Sequence, residues 1–325
     1  MREAATWASG VPTLLLIEQM FYSGPMRAEY REEPCRTALN RVKGMGFDWS
    51  LNPYMGCAHR CAFCYVRGFE RRADRPSDDR YGSSVRVKVN VAEVLRAELG
   101  RRSWKRELVA IGAATDPYQP AEGRYRLTRG CLEVLGEART PFSIITRGPL
   151  IVRDLDVLAD AARRSDVMVS VSVATVDDRL SAWLEPGVAP PRQRLRAIRM
   201  LSDAGIRAGV ALAPVLPGLT DDARGMAAVL AAAREAGATH AWSNVLNLRA
   251  GTREHFLGVL EREWPEELAR YRHLYPAGGS GYLRSADARP IDARVAAVKR
   301  GAGIGDRRRI VLSPPPEPQQ LALGV

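Results

Sequence analysis

From about residue 48 onward the chain alternates short apolar, β-branched runs with longer stretches whose apolar residues recur every three or four positions. The runs are LVAIGAAT (108–115), FSIITR (142–147), VMVSVSVAT (167–175), RAGVALAPV (207–215) and ATHAWSNVL (238–246). Between them lie RLTRGCLEVLGEA, VRDLDVLADAARR, RQRLRAIRMLSDAG and DDARGMAAVLAAAREAG, all with helical periodicity. Runs about 25–35 residues apart are the spacing of repeating βα units, and hence of a parallel sheet with right-handed crossovers. Counting the segment that leads into Cys57 as the first strand gives six units. Gly205 and Gly237 each follow a helical stretch and precede a strand, as C-terminal caps do. Asp221 and Asp222 suit the positive end of the helix they open. Six units predict an incomplete α/β barrel rather than a closed eightfold one, with its chemistry at the strand ends.

Flanking this body, residues 1–47 show no clear periodicity and are expected to wrap its outside. Residues 48–270 would form the barrel and 271–325 a basic C-terminal extension. In that extension the sequence predicts irregular structure, with PAGGSGY as a flexible loop and SPPPEP as an extended end.

Composition adds two constraints. No run of about 18 apolar residues exists, so no membrane span is expected. VPTLLLIEQMF near the N-terminus is interrupted by Glu18 and lacks a basic leader, which predicts a cytoplasmic protein. The formal charge of +11 rests on 44 Arg and four Lys, and it is uneven. Residues 269–310 hold ten Lys or Arg against Asp287, Asp292 and Asp306. A basic face of this kind could meet a phosphate backbone or another anion, or be a solvated Arg-rich surface.

The candidate chemistry lies in LNPYMGCAHRCAFCY (51–65), where Cys57, Cys61 and Cys64 fall within eight residues. A structural zinc site wants four ligands and would need Cys35, Cys131 or His59 to complete it. A disulfide suits neither the reducing compartment nor the odd count, and redox use of Cys61 and Cys64 leaves Cys57 unexplained. Three thiolates suit a [4Fe–4S] cluster better: they hold three irons and leave the fourth open. His59, His240, His255 and His273 show no metal spacing, and His59 is expected to be exposed. Cys131 shares a helical face with Leu127, Leu132 and Leu135 and is expected in the core.

The CxxxCxxC loop, with Phe63 and Tyr65 beside its last cysteine, resembles the radical S-adenosylmethionine superfamily. Further stretches, among them ATDPYQPAE, IITRGPLIVRDLDVL, EPGVAPPRQRLRAIRMLSDAG and VALAPVLPGLTD, are similar to its spore photoproduct lyase-like branch over roughly residues 30–290. The resemblance implies a partial six-unit TIM barrel, a [4Fe–4S] cluster on Cys57, Cys61 and Cys64, and S-adenosylmethionine at the open iron. It implies reductive cleavage to a 5′-deoxyadenosyl radical that abstracts hydrogen from substrate. An external one-electron reductant of the flavodoxin or ferredoxin type is implied as partner. Thr115 and Asp116 would receive the amino group of S-adenosylmethionine, Arg147 its carboxylate, Ser172 the ribose, and the Ala213 backbone the adenine. Arg194 matches the arginine of the family's RL pair, with no assigned role. Spore photoproduct lyase has a hydrogen-returning cysteine just before the TD pair, whereas this chain has Ala113 and Ala114. Tyr65, next to the cluster, is then the candidate to pass a hydrogen atom. The family and the basic extension point to a nucleic acid or nucleotide as substrate. A peptide, a small metabolite, or a non-catalytic iron–sulfur protein that binds nucleic acid are the rival readings.

Overall fold

The computed structural model describes residues 28–315 except residue 73. VPTLLLIEQMF and the end of SPPPEP lie outside the described residues. Eleven strands are present among them: β1 (Glu29–Glu33), β2 (Leu39–Arg41), β3 (Trp49–Leu51), β4 (Tyr54–Met55), β5 (Ser84–Lys88), β6 (Val109–Ile111), β7 (Phe142–Thr146), β8 (Val167–Ser172), β9 (Ala208–Val215), β10 (His240–Val245) and β11 (Gly305–Asp306). Eight make the main sheet in the order β11-β10-β9-β8-β7-β6-β3-β2. From β3 to β10 all neighbours are parallel, which are the six units expected from the apolar runs. The two ends of the sheet do not pair with each other, so the barrel stays partial.

Alternation along the strands sorts the two faces. Val109, Ile111, Phe142, Ile144, Val169, Val171, Val210 and Leu212 point to the helices and share one core with Leu132, Leu135, Leu158, Ile198, Leu201, Val229 and Leu230. Burying those side chains stabilises the fold by roughly 1.5–3 kcal/mol each. Ser143, Ser170, Ser172, Gly209 and Ala211 fall on the opposite, concave face, where all five are buried. Cys131 is fully buried in the helix Leu127–Glu137, as its spacing predicts.

Two expectations for the flanks need correction. Leu39–Arg41 does not wrap the outside; it pairs antiparallel with β3 and extends the main sheet. The chain beyond residue 270 is not irregular throughout. It contains the 18-residue helix Ser285–Ala302, which places Ile291 and Val295 in the core, and β11, which pairs with β10. Pro290 masks the helix in the sequence, since proline inside a helix removes a hydrogen bond. The PAGGSGY segment is a loop, as expected.

Between β3 and β6 the chain makes an excursion that carries the cysteines. β1, β5 and β4 form a second, three-stranded sheet in that order, with β1 and β5 parallel and β4 antiparallel to β5. The cysteine loop leaves β4 and is therefore held between two sheets.

Candidate cofactor site at the strand ends

Gly56 opens the loop with φ +86, and a Cβ there would stand 2.9 Å from the Ser84 carbonyl oxygen, so only glycine fits. Its carbonyl accepts from Thr115 Oγ1 at 2.7 Å and Gln119 Nε2 at 3.0 Å, while Gln119 Oε1 accepts from Ala58 N at 3.0 Å. Asn52 Oδ1 accepts from Ala114 N at 2.9 Å and joins the ends of β3 and β6. On the far side, Arg67 is buried and donates to the carbonyls of Ser77 and Asp78; its guanidinium lies 4.5 Å over the Tyr81 ring. The Tyr81 hydroxyl in turn sits 3.3 Å from Cys64 Sγ. Thr252 Oγ1 donates to the Cys64 carbonyl at 3.0 Å. Every turn of the loop is thus tied to a different element.

The thiols themselves are free; Cys57 and Cys61 are buried and Cys64 is half-buried. Burial, reinforced by Asp116 and the neighbouring cysteines, pushes the Cys57 thiol well above its ordinary value. Burial also raises Cys61, against the opposing pull of Arg147. Thiols in this state need a metal to become thiolates. Among the described residues no trio of His, Cys, Asp or Glu is drawn together tightly enough for one metal ion. A cluster asks for something different, thiolates spread over separate irons. Three free thiols on one anchored loop are that donor set, so the residues fit the group.

Around the loop two polar networks meet. Asp116 is buried; its Oδ1 accepts from Tyr118 N at 2.9 Å and Thr146 Oγ1 at 2.6 Å, and its Oδ2 from Arg147 N at 2.6 Å. Burial alone would raise its pKa, but His59, Thr146 and the Arg147 amide outweigh it and hold it below the ordinary 3.8. His59 is buried, which corrects the expectation of exposure. Its Nδ1 stands 3.4 Å from Asp116 Oδ2 without forming a hydrogen bond, and its carbonyl accepts from Gly187 N at 3.1 Å. A Cβ on Gly187 would come within 2.5 Å of the Ala58 carbonyl oxygen, so the EPG turn can press onto the cysteine loop only as glycine.

In the second network Arg147 Nε donates to Glu185 Oε1 at 2.6 Å and Nη2 to the Ala213 carbonyl at 2.8 Å. Fully buried Arg194 pairs with Glu185 Oε2 at 2.8 Å and donates to the Ser172 carbonyl and Ser181 Oγ, each at 2.8 Å. Burial would raise the Glu185 pKa, but Arg194 and Arg147 outweigh it and keep the carboxylate ionised. Among the predicted site residues, Thr115 and Asp116 therefore touch the cysteine loop or its histidine. Arg147, Ser172 and Ala213 are joined through Glu185 and Arg194. Arg147 also stacks over Phe63, 5.4 Å from its ring. Tyr65 is 44% exposed, and its hydroxyl donates to the Ala113 carbonyl. The sequence reading missed Gln119, Tyr81 and Glu185 as organisers. Only Glu185 left a signal, through the EPG turn and the RL arginine.

The family model described as "Radical SAM superfamily" matches residues 51–261. An uncharacterized Mycobacterium tuberculosis protein, Rv2578c, is 42% identical over 252 residues, covering 77% of this chain and 74% of its own length. A Pseudomonas phage M6 protein named Radical SAM Nalpha-GlyT isomerase is 30% identical over 184 residues, covering 55% of this chain and 36% of its own. Spore photoproduct lyase, complexed with dinucleoside spore photoproduct, superposes with a TM-score of 0.64 at 15% identity, over 85% of this chain and 80% of that one. At that identity the likeness is one of fold. The chain belongs to the radical SAM superfamily.

Proposed function

We propose that the chain is a radical SAM enzyme that holds a [4Fe–4S] cluster on Cys57, Cys61 and Cys64 and acts on a nucleic acid or nucleotide. When bound, the cluster and S-adenosylmethionine supply reductive cleavage to a 5′-deoxyadenosyl radical, driven by an external one-electron donor of the flavodoxin or ferredoxin type. The observation that carries this reading is the junction at the strand ends, where the thiol loop, Asp116 and Arg147 lock into one buried assembly.

Each residue has a task there. Asp116 takes the amino group, since His59, its longest approach at 3.4 Å, is the one an ammonium would displace. Arg147 takes the carboxylate through Nη1, which makes no hydrogen bond among the described residues, while Glu185 fixes the plane of the guanidinium. Ser172 Oγ faces the ribose, and the Ala213 backbone borders the adenine. Thr115 holds the loop rather than the cofactor, through Gly56. Tyr65 is the hydrogen-atom donor to the product, because its hydroxyl rests on Ala113, beside the position where a lyase cysteine would stand. The nucleotide assignment draws on the dinucleoside photoproduct in the lyase complex. A cytoplasmic site fits free thiols, and no helix among the described residues is long and apolar enough to cross a membrane.

Anaerobically reconstituted protein given dithionite and S-adenosylmethionine is expected to release 5′-deoxyadenosine. Absence of that product at full iron loading would refute the reading. Deuterium carried from a labelled nucleotide into 5′-deoxyadenosine would identify the substrate, and Tyr65→Phe should then uncouple cleavage from product formation.

A further inference from the structure

Below the strand ends, the concave face is lined by Ser143, Ser170, Gly209 and Ala211, with His240 and Trp242 on β10. A guanidinium from the C-terminal segment enters this face. Arg307, directly after β11, donates from Nη2 to Ser143 Oγ at 3.3 Å and lies 5.7 Å over the Trp242 ring. We propose that Arg307, with Trp242 and Ser143, binds a phosphate group of the substrate on the floor of the partial barrel. The proposal rests on the nucleotide reading above and gives it a recognition site.

Three observations support it. First, Arg307 has no counter-ion among the described residues. Arg147, Arg153 and Arg194 each meet a carboxylate within 2.8 Å, whereas Arg307 makes no ion pair among the described residues; its buried Nε, like that of Arg194, has no hydrogen-bond partner there. Burial accordingly lowers its pKa with nothing to offset the loss. A cation kept in that setting asks for an anion. Second, the neighbouring groups present donors. Trp242 Nε1 is also buried without a partner, and the Ser143 hydroxyl already faces the guanidinium. His240 is held neutral: burial, then Arg307 and Arg207, lower its pKa to about 4. Arginine with an indole N–H and a hydroxyl matches the several acceptor oxygens of a phosphate. Third, the depth is suitable. Ser143 on β7 precedes Arg147, the residue just after that strand, by four positions, and Trp242 pairs with Ala211, two residues before Ala213. Arg307 thus lies about 7–13 Å along the strands from the cofactor residues, on the same face of the sheet. Half-buried Ile145, Trp242 and Arg307 and exposed Asn244 are the accessible part of that face, next to the buried Ser143, Ser170 and Ala211.

The test titrates the reconstituted protein with a deoxynucleoside 5′-monophosphate, the matching nucleoside, inorganic phosphate and acetate, reading tryptophan fluorescence and heat. Wild type should prefer the monophosphate to the nucleoside by about tenfold to a hundredfold. Inorganic phosphate should compete and acetate should not. Arg307→Gln should abolish the preference, and Arg307→Lys should keep part of it, with iron content and S-adenosylmethionine affinity retained in both. Trp242→Phe and Ser143→Ala, which leave the charge in place, should each weaken phosphate competition about threefold to tenfold and guard against misfolding of the Gln variant. No preference in wild type, an undiminished one in Arg307→Gln, or competition by acetate equal to that by phosphate would overturn the proposal. Phosphate binding without S-adenosylmethionine cleavage would instead refute the catalytic reading alone.

Discussion

The strand ends and the barrel floor each carry an inward-reaching arginine, fully buried Arg194 and half-buried Arg307, and the fold treats them in opposite ways. At the strand ends Arg194 is 0% exposed, shares Glu185 with Arg147, and donates to the Ser172 carbonyl and the Ser181 hydroxyl, with its Nε alone left without a partner. On the floor Arg307 has a serine hydroxyl, an indole ring and no carboxylate. A satisfied charge holds other groups in place, while an unsatisfied one is available to a ligand. The contrast separates the part of the chain proposed to be held rigid for a cofactor from the part proposed to discriminate between substrates.

The comparison can be broken at its upper end first. Cys57→Ala, Cys61→Ala or Cys64→Ala should each abolish iron incorporation, measured by cluster absorbance after reconstitution. Cys35→Ala and Cys131→Ala should retain full iron, because Cys131 is buried in the helical core away from the loop. Next in size, Glu185→Ala strands the fully buried Arg194 and the half-buried Arg147 and should cost about 3–5 kcal/mol in denaturant unfolding. If the loss is below 1 kcal/mol, the Arg147–Glu185–Arg194 network is not the rigid element claimed here. The pH dependence has a definite sign. Because Glu185 is held below 4.5 in the folded state, its contribution is complete above that pH and disappears as pH falls through the lower folded value.

The floor gives the smaller effect. His240 has its pKa lowered from 6.5 to about 4, so the folded state binds fewer protons than the unfolded chain in that interval. Stability should fall by about 2–3 kcal/mol as pH drops from about 6.5 to about 4, then level off with respect to this group. His240→Gln should flatten that stretch of a stability–pH curve; an unchanged slope would place its source elsewhere.

Much of this architecture was legible before any coordinates. The β-branched runs at 142–147, 167–175 and 207–215 became β7, β8 and β9, because strands with an apolar helix-facing side need little beyond their own composition. The cysteine loop was equally plain, since its three ligands are local. What escaped was long-range or polar. EYREE at 29–33 reads as solvated chain, yet it forms β1 by pairing with β5 some 55 residues on. His59 read as exposed because nothing local reveals that Asp116 and the EPG turn cover it. Arg307 meets Ser143 from 164 residues away, a contact that no periodicity encodes.

That last separation also has a consequence in time. Synthesis proceeds at roughly 5–20 residues per second, so the thiol loop emerges from the ribosome on the order of ten to fifty seconds before the floor arginine does. A nascent chain halted before β11 would already own every residue proposed for the cofactor, and Ser143 and Trp242 too, while lacking the guanidinium proposed to complete the phosphate site. The residues proposed for reactivity are thus made well before the arginine proposed for discrimination.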